Sequence, residues 1–421
     1  MPFFVDREIY IGKYKHAAYK MCYWTEQSLR TGGRRHCYKH DFGIDSYACI
    51  QSTSYKACNL ACVFCWRDIE ARPRVFEEHD SPELIAEELI KTQKELVKES
   101  LNKCIENWHI AHKILVLISK NETVTVAEVS EKIGYSRSKI REAFLDLYNS
   151  NLVFRIDNNT YKVNREIVNK ELNEEEAKEI LEKYFTTLEE IKITHEKAMN
   201  IKHVAISYDG EPTMYPYISK LIAEFRKRGI TTFLVTNGTF PERILQMLEE
   251  GNLPTQLYVT LHAPDLDTYL KTTSSIYPYI PSSSMHWERV QKTLEILSKL
   301  PCRTVIRITT VKYVNMVNPE GYRKLILKGS PDFVELKGFS ISGHAPKIMV
   351  RLGKSLPIYD EATLMKQALQ FSPTFEEILE FARQISDNFQ IFPLISTNKE
   401  STQVLMAYRW KNIKDISIKK P

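Results

Sequence analysis

The 421-residue chain has no run approaching the roughly 18 consecutive apolar residues of a membrane span, so no membrane partner is expected. Its N-terminus, MPFFVDREIYIGKYKH, lacks an apolar core followed by a small-residue cleavage site, which excludes a secretory signal there and points to the cytoplasm. Strong charge imbalance is also missing: a formal net charge of +5 permits an anionic partner such as RNA without demanding one. Cysteine is scarce over most of the length. Six of the eight cysteines fall between Cys22 and Cys65, and in a reducing compartment such crowding argues metal ligation before disulfides. Cys104 and Cys302 lie apart and read as ordinary buried or free thiols. The length suits one large catalytic domain plus a smaller one.

What is present centres on Cys58-Asn-Leu-Ala-Cys62-Val-Phe-Cys65-Trp66-Arg67. A compact loop of three cysteines, spaced four and three apart, can present three thiolates to one iron-sulfur cluster. Ordinary ferredoxin-type clusters take four thiolates, so this loop leaves one iron open for a substrate or cofactor. In radical enzymes that use S-adenosylmethionine, that iron binds the amino and carboxylate groups of the cofactor. The alternative is a zinc site, which needs a fourth ligand such as His40 or Cys49. A second set, Cys22, Cys37 and Cys49, precedes the loop at wide spacing. Spacing alone is weak evidence, but three more unpaired thiols beside the first set suggest a second cluster. Lys39, two residues after Cys37, is a candidate for Schiff-base chemistry with a carbonyl compound; a solvated or anion-binding lysine is the alternative.

Further along, Ser81-Pro82 opens a helix that reads as the first of a barrel. Residues 105–165 then break the pattern with an amphipathic helix (HIAHKILVLISKN), two helices opened by Thr125 and Ser136, and a hairpin turning at Asn158-Asn159. Three helices and a hairpin predict a winged-helix-like module, whose last helix carries Arg137, Lys139 and Arg141. An acid-rich helical segment over 171–198 is expected to present a solvated face. From HVAISYDG to DFVELKGFSI, apolar runs alternate with amphipathic helices, which predicts parallel strands in βα units. The expected fold is α/β: a partial (β/α)6 TIM-like barrel with the inserted α+β module. The expected domains are 1–100 (cysteine-rich extension and barrel start), 105–165 (insertion), 171–345 (rest of the barrel) and 346–421. The C-terminal region is expected to hold a helix around Phe375 to Phe389 and a possible strand, STQVLMAYRW. In such a barrel the active site lies at the strand C-terminal ends.

The strand ends are polar. Gly210 of Asp209-Gly210-Glu211-Pro212-Thr213 allows close backbone approach to a ligand, and Glu211 could receive an ammonium group. Thr236-Asn237-Gly238-Thr239 could bind hydroxyls. Thr260 and His262 end a third strand, and Arg307 with Thr309 lies on a fourth. A buried Arg307 needs an anionic partner, either a bound carboxylate or a structural salt bridge.

CNLACVFCWR, AISYDGEPTMYP, FLVTNGT, QLYVTLHAPD, RTVIRITTVK and FVELKGF, in that order, resemble the archaeal form of the tRNA 4-demethylwyosine synthase family of the wybutosine pathway, over about three fifths of the chain. The resemblance implies a radical S-adenosylmethionine lyase that condenses pyruvate with N1-methylguanosine beside the anticodon of phenylalanine tRNA. It implies one 4Fe-4S cluster on Cys58, Cys62 and Cys65 that cleaves S-adenosylmethionine, and a second on Cys22, Cys37 and Cys49. Lys39 matches the lysine proposed to form a Schiff base with pyruvate. Gly210, Glu211, Thr213, Thr236, Asn237, Thr260 and Arg307 would contact the cofactor. The eukaryotic members' flavodoxin-like segment is absent, so an external flavodoxin- or ferredoxin-like donor is expected, and the protein is read as a monomer. His262 stands where an acidic residue is expected. The competing readings are a radical enzyme for another RNA base or a small molecule, and a winged-helix redox regulator that binds nucleic acid.

Overall fold

Short apolar runs rich in Val, Ile and Phe become strands buried on both faces. The structure, a computed structural model, describes residues 8–274, 282–354 and 360–408. Its strands are β1 (Ile9–Ile11), β2 (Ala17–Tyr19), β3 (Cys49–Thr53), β4 (Thr123–Thr125), β5 (Val153–Arg155), β6 (Thr160–Val163), β7 (His203–Ile206), β8 (Thr231–Thr236), β9 (Gln256–Thr260), β10 (Arg303–Thr310), β11 (Phe333–Gly338), β12 (Leu394–Asn398) and β13 (Gln403–Ala407). β3, β7, β8, β9, β10 and β11 run parallel in that order. β2 and then β1 extend one edge antiparallel, and β13 and then β12 extend the other. The six parallel strands match the expected partial barrel, and the C-terminal region completes its sheet by laying β13 along β11. The strand expected over STQVLMAYRW is β13; its last two residues lie outside the described residues.

The helices that matter for the site are α1 (Tyr23–Arg30), α2 (Pro82–Ser119), α3 (Val126–Ile133), α4 (Arg137–Asn149), α5 (Glu174–Tyr184), α6 (Leu188–Ala198), α7 (Ile218–Lys227), α8 (Pro241–Glu249), α9 (Leu266–Thr273), α10 (Ser284–Leu297), α11 (Pro319–Gly329) and α12 (Ile348–Arg351). α7, α8, α10 and α11 cover the outer face of the sheet, where Ile222, Met247, Leu294 and Ile326 join one large core. α11 had no counterpart in the sequence reading, although Asn318 and Pro319 are a ready start signal: the Asn318 side chain caps the helix by accepting from Gly321 N. On the inner face, Ala205, Phe233, Tyr258, Val305, Phe333 and Leu405 form a smaller apolar layer closed from below by Phe42 and Ile44. Strand side chains alternate, so Thr260, Arg307 and Glu335, opposite one another, stand one layer above Tyr258, Val305 and Phe333, and Thr309 and Lys337 one layer higher.

The helices read separately from Ser81 and from about His109 are one. Nothing between Glu83 and Ser119 is glycine or proline, so α2 runs unbroken through the boundary expected near 100–105. Its first half buries Ile85, Ala86 and Leu89 in the barrel core, and its second half buries Trp108, Ala111, Leu115 and Ile118 in another. That second core holds α3 and α4, capped as expected at Thr125 and Ser136, and a small sheet in the order β4-β6-β5. α5 and α6 add Ala177, Leu181 and Ile191 to it, so the acid-rich segment buries one side rather than only facing solvent. Among the described residues no helix is long and apolar enough to cross a membrane.

One buried ion pair ties this second core to the cysteine-rich extension. Arg30 on α1 and Asp146 on α4 meet at 2.6 Å, their side chains 1% and 2% exposed, and Asn107 on α2 also donates to Asp146. Removing one partner strands the other charge in a dry interior. Arg30 also meets the buried Glu26 at 3.5 Å, so Asp146→Ala is expected to cost about 3–5 kcal/mol in chemical denaturation, and Arg30→Met/Asp146→Leu combined with Glu26→Gln far less.

Candidate active site at the strand C-terminal ends

Cys58, Cys62 and Cys65 lie on a loop without regular structure, so its backbone must find partners elsewhere. Ala61 N and Val63 N donate to Thr273 O and Thr272 O at the end of α9 (3.1 and 2.9 Å), and His344 N donates to Trp66 O (2.8 Å). Arg351 on α12 gives its guanidinium to the carbonyls of Val63, Cys65 and Arg67. Upstream, Glu211 N donates to Ala57 O at 2.8 Å. Gly210 has φ +68°, and a Cβ there would stand 1.9 Å from Tyr55 O. The close approach expected at Gly210 is thus made to the chain's own segment 55–57, which leads into the three-cysteine loop. Gly210→Ala combines a left-handed strain with a backbone clash. It is expected to lose at least about 2 kcal/mol of stability, and iron bound per chain after anaerobic reconstitution should fall with it.

The three thiols face a cavity of about 330 Å3. Its wall also carries Gly210, Glu211, Thr236, Asn237, Thr260, His262, Arg307, Thr309 and Lys337. Of the seven residues expected around the cofactor, six line this space; Thr213 stands behind it, wholly buried, donating to Glu211. Glu211 accepts from Thr213 N and Thr236 Oγ1 (3.0 and 2.7 Å) through one oxygen and from Asn237 N (2.7 Å) through the other. Burial raises its pKa, and these donors pull the other way. Its carboxylate welds two strand-end loops together and keeps part of Oε2 toward the cavity. Asn237 reaches Asn59 Oδ1 at 2.9 Å and stands 3.9 Å from Cys58 Sγ.

Arg307 has a carboxylate of its own: Glu335, directly across β11, lies 2.8 Å away, and Tyr38 Oη accepts from Arg307 at 2.7 Å. Burial alone would lower its pKa; Glu335, Tyr38 and Tyr258 outweigh that and hold it cationic. His262 is buried, stacked on Phe64 at 6.2 Å, and burial pushes its pKa down to about 4 against the pull of the Thr260 carbonyl, which accepts from the ring. It is neutral at pH 7. In the unfolded chain an imidazole takes its proton near pH 6.5, before the native one does. His262 therefore supports the fold fully above about pH 6.5 and loses that support as pH falls toward 4. In the metal-free protein, His262→Gln should flatten the fall in stability over that window by on the order of 3 kcal/mol.

The second thiol set gathers around the start of β3, beside the inner apolar layer. Cys22 starts α1, Cys37 starts the short helical turn Tyr38–Phe42, and Cys49 opens β3. Burial pushes the Cys49 thiol up to about 12, with neighbouring Lys39 opposing and Cys37 and Cys22 adding. Lys39 is 8% exposed. Its ammonium lies over the faces of Phe233 (5.4 Å) and Tyr258 (5.8 Å), and among the described residues it meets no carboxylate. It occupies the inner end of the barrel, one layer below Thr260 and Arg307.

Three functional candidates escaped the sequence. Arg72 donates to Cys65 Sγ at 3.1 Å and pairs with Asp209 at 3.5 Å. Arg351 clamps the loop from nearly 290 residues away. Lys337 is a lone cation in the apolar strand FVELKGF, the same signal that marked Arg307, and it was not singled out.

The donor set fits an iron-sulfur cluster. Burial pushes Cys58 up to about 11, and Cys62 further, so both thiols are held protonated until a cation compensates their charge. Among the described residues no three His, Cys, Asp or Glu groups converge on a point that would hold one metal ion. A cluster asks for less, because each thiolate bonds a different iron and the sulfurs need only face one space.

A parallel half-barrel with three thiols at its C-terminal mouth defines the class, and a sequence profile described as the Radical SAM superfamily matches residues 159–326. The profile begins after the cysteine loop, because α2 and the inserted module separate the two in sequence. A Pyrococcus abyssi protein described as S-adenosyl-L-methionine-dependent tRNA 4-demethylwyosine synthase is 36% identical over 335 residues, 79% of this chain and 71% of that one. A mouse protein of the same description is 26% identical across 94% of this chain and 39% of its own length. This chain belongs to the tRNA 4-demethylwyosine synthase family. Among solved structures, "Crystal structure of archaeal TYW1" aligns with TM-score 0.55 at 22% identity over 94% of this chain and 92% of that one. "Structure of TYW1 with a lysine-pyruvate adduct bound" aligns with TM-score 0.58 at 23% identity over 96% and 95%. At these identities the two show the shared fold.

Proposed function

We propose that the protein builds the tricyclic base 4-demethylwyosine from N1-methylguanosine beside the anticodon of phenylalanine tRNA, with pyruvate as carbon donor, as a radical carbon-carbon lyase of wybutosine biosynthesis. Cys58, Cys62 and Cys65 would hold a 4Fe-4S cluster with one open iron, and Cys22, Cys37 and Cys49 a second. Bound with S-adenosylmethionine and reduced by an external donor, the first cluster supplies a carbon radical able to take a hydrogen atom from the N1-methyl group.

The chain's own residues have three tasks. Arg72 and Arg351 hold the first thiol loop from opposite sides, one by a charge on Cys65 and one by its carbonyls. Glu211, Thr236 and Asn237 tie the strand ends into one rigid wall, which keeps reacting groups in register. Lys39 is the nucleophile: its free amine adds to the keto carbon of pyruvate, and loss of water leaves an imine. Phe233 and Tyr258 beneath it shed water, so the imine is shielded from hydrolysis. The observation that carries this reading is the position of Lys39, 8% exposed beside the second set of thiols and meeting no carboxylate among the described residues.

The test is an anaerobic assay of the reconstituted protein with S-adenosylmethionine, dithionite, pyruvate and phenylalanine tRNA carrying N1-methylguanosine, read by nucleoside mass spectrometry. A tricyclic nucleoside that requires pyruvate is expected. Deoxyadenosine without a modified base would instead mean radical chemistry on a different substrate. Lys39→Ala should lower product formation at least 100-fold and abolish a borohydride-trapped pyruvate adduct, while S-adenosylmethionine still binds; full activity of that variant would remove the imine role.

A further inference from the structure

Lys337 is enclosed by protein yet faces open space on two sides. It lines the cavity of the three-cysteine loop and also a second cavity, of about 290 Å3, whose wall includes Tyr23 and Trp24, the residues that follow Cys22. With Ser340 it forms the partition between the two. Among the described residues its ammonium finds a long hydrogen bond to Ser401 O at 3.4 Å and the face of the Tyr38 ring at 4.8 Å, while Glu400, on the wall of the second cavity, is paired with Arg35. The carboxylate nearest in sequence on its strand, Glu335, is taken by Arg307. Burial lowers the Lys337 pKa; Glu335 and Cys37 oppose this, while Arg307 and Lys39 reinforce it.

The barrel interior therefore carries two lysines, Lys39 and Lys337, the second lying over the ring of Tyr38, the residue before Lys39, and neither has a carboxylate partner among the described residues. Cations without a carboxylate partner cost free energy when largely enclosed by protein, and a site that accepts this cost is arranged for an anion. A 2-keto acid places its carboxylate one bond from its carbonyl, so a molecule held by an imine at one lysine offers its negative charge to a cation close by. We propose that Lys337 binds the carboxylate of the keto acid whose carbonyl carbon is taken by Lys39, making it a substrate-specificity residue of this site. The proposal rests on the imine reading of Lys39. It assigns to Lys337 a charge contact that selects a keto acid over a neutral ketone.

The test uses full-length protein reconstituted anaerobically with iron and sulfide, incubated with cyanoborohydride and either pyruvate or its uncharged methyl ester, with the adduct on Lys39 quantified by peptide mass spectrometry. Lys337→Gln is expected to raise the pyruvate concentration for half-maximal trapping at least ten-fold while leaving trapping of the methyl ester within two-fold of the unsubstituted protein. Lys337→Arg, which keeps the charge, should recover most of the preference for pyruvate. Wild-type pyruvate dependence in Lys337→Gln overturns the proposal. So does an equal loss with both ketones, which would mean a structural role, or a weakened affinity for S-adenosylmethionine in place of pyruvate, which would give Lys337 the cofactor's carboxylate. No adduct on Lys39 in the unsubstituted protein with either ketone overturns the imine reading itself, and this proposal with it.

Discussion

The site depends on a backbone contact with no side chain in it. The loop that follows β7 turns at a left-handed glycine, Gly210, so close to Tyr55 O that any Cβ would collide, and the next amide closes onto Ala57 O. That contact delivers the chain to Cys58. From there the three-cysteine loop has no ladder of its own, and its amides and carbonyls are satisfied by α9, by His344 N and by Arg351. Each of these partners comes from a distant part of the sequence. The thiols are positioned because the barrel closes around them, and the barrel mouth is shaped because the loop fills its rim.

The interior of the barrel is a study in how charge is kept out of water. Apolar residues from six strands form a floor, Arg307 and Glu335 neutralise each other across adjacent strands above it, and Tyr38 caps the pair. Lys39 and Lys337 are left over. Folding tolerates them where a structural protein would replace them with apolar residues, and such exceptions collect at sites of chemistry. The second thiol set gathers beside Lys39 at the start of β3, and the first faces the cavity that Lys337 lines.

The inserted module is joined to that mouth more tightly than an appendage would be. α2 belongs to both cores, and the Arg30–Asp146 pair fastens α4 to the helix whose first turn begins at Cys22. The basic start of α4 is partly committed within the module as well, Lys139 to Glu106 and Arg141 to Asn159.

Local chemistry was enough to mark much of this from the sequence. Cys58, Cys62 and Cys65 sit within eight residues, so their joint use follows from chain geometry alone, and the six parallel strands follow from apolar runs that alternate with amphipathic helices. The caps at Ser81, Thr125 and Ser136 work within four residues and were equally legible. What only the tertiary structure decided is everything that depends on neighbours across the fold. It made one helix of α2, set Gly210 against segment 55–57 at the edge of the cavity, and placed Thr213 behind the wall. It also gave Arg307 the carboxylate of Glu335 and brought Arg72, Arg351 and Lys337 to the cysteines and Lys39. A sequence shows that a charge lies on an apolar strand; which charge answers it is set by strand register and packing.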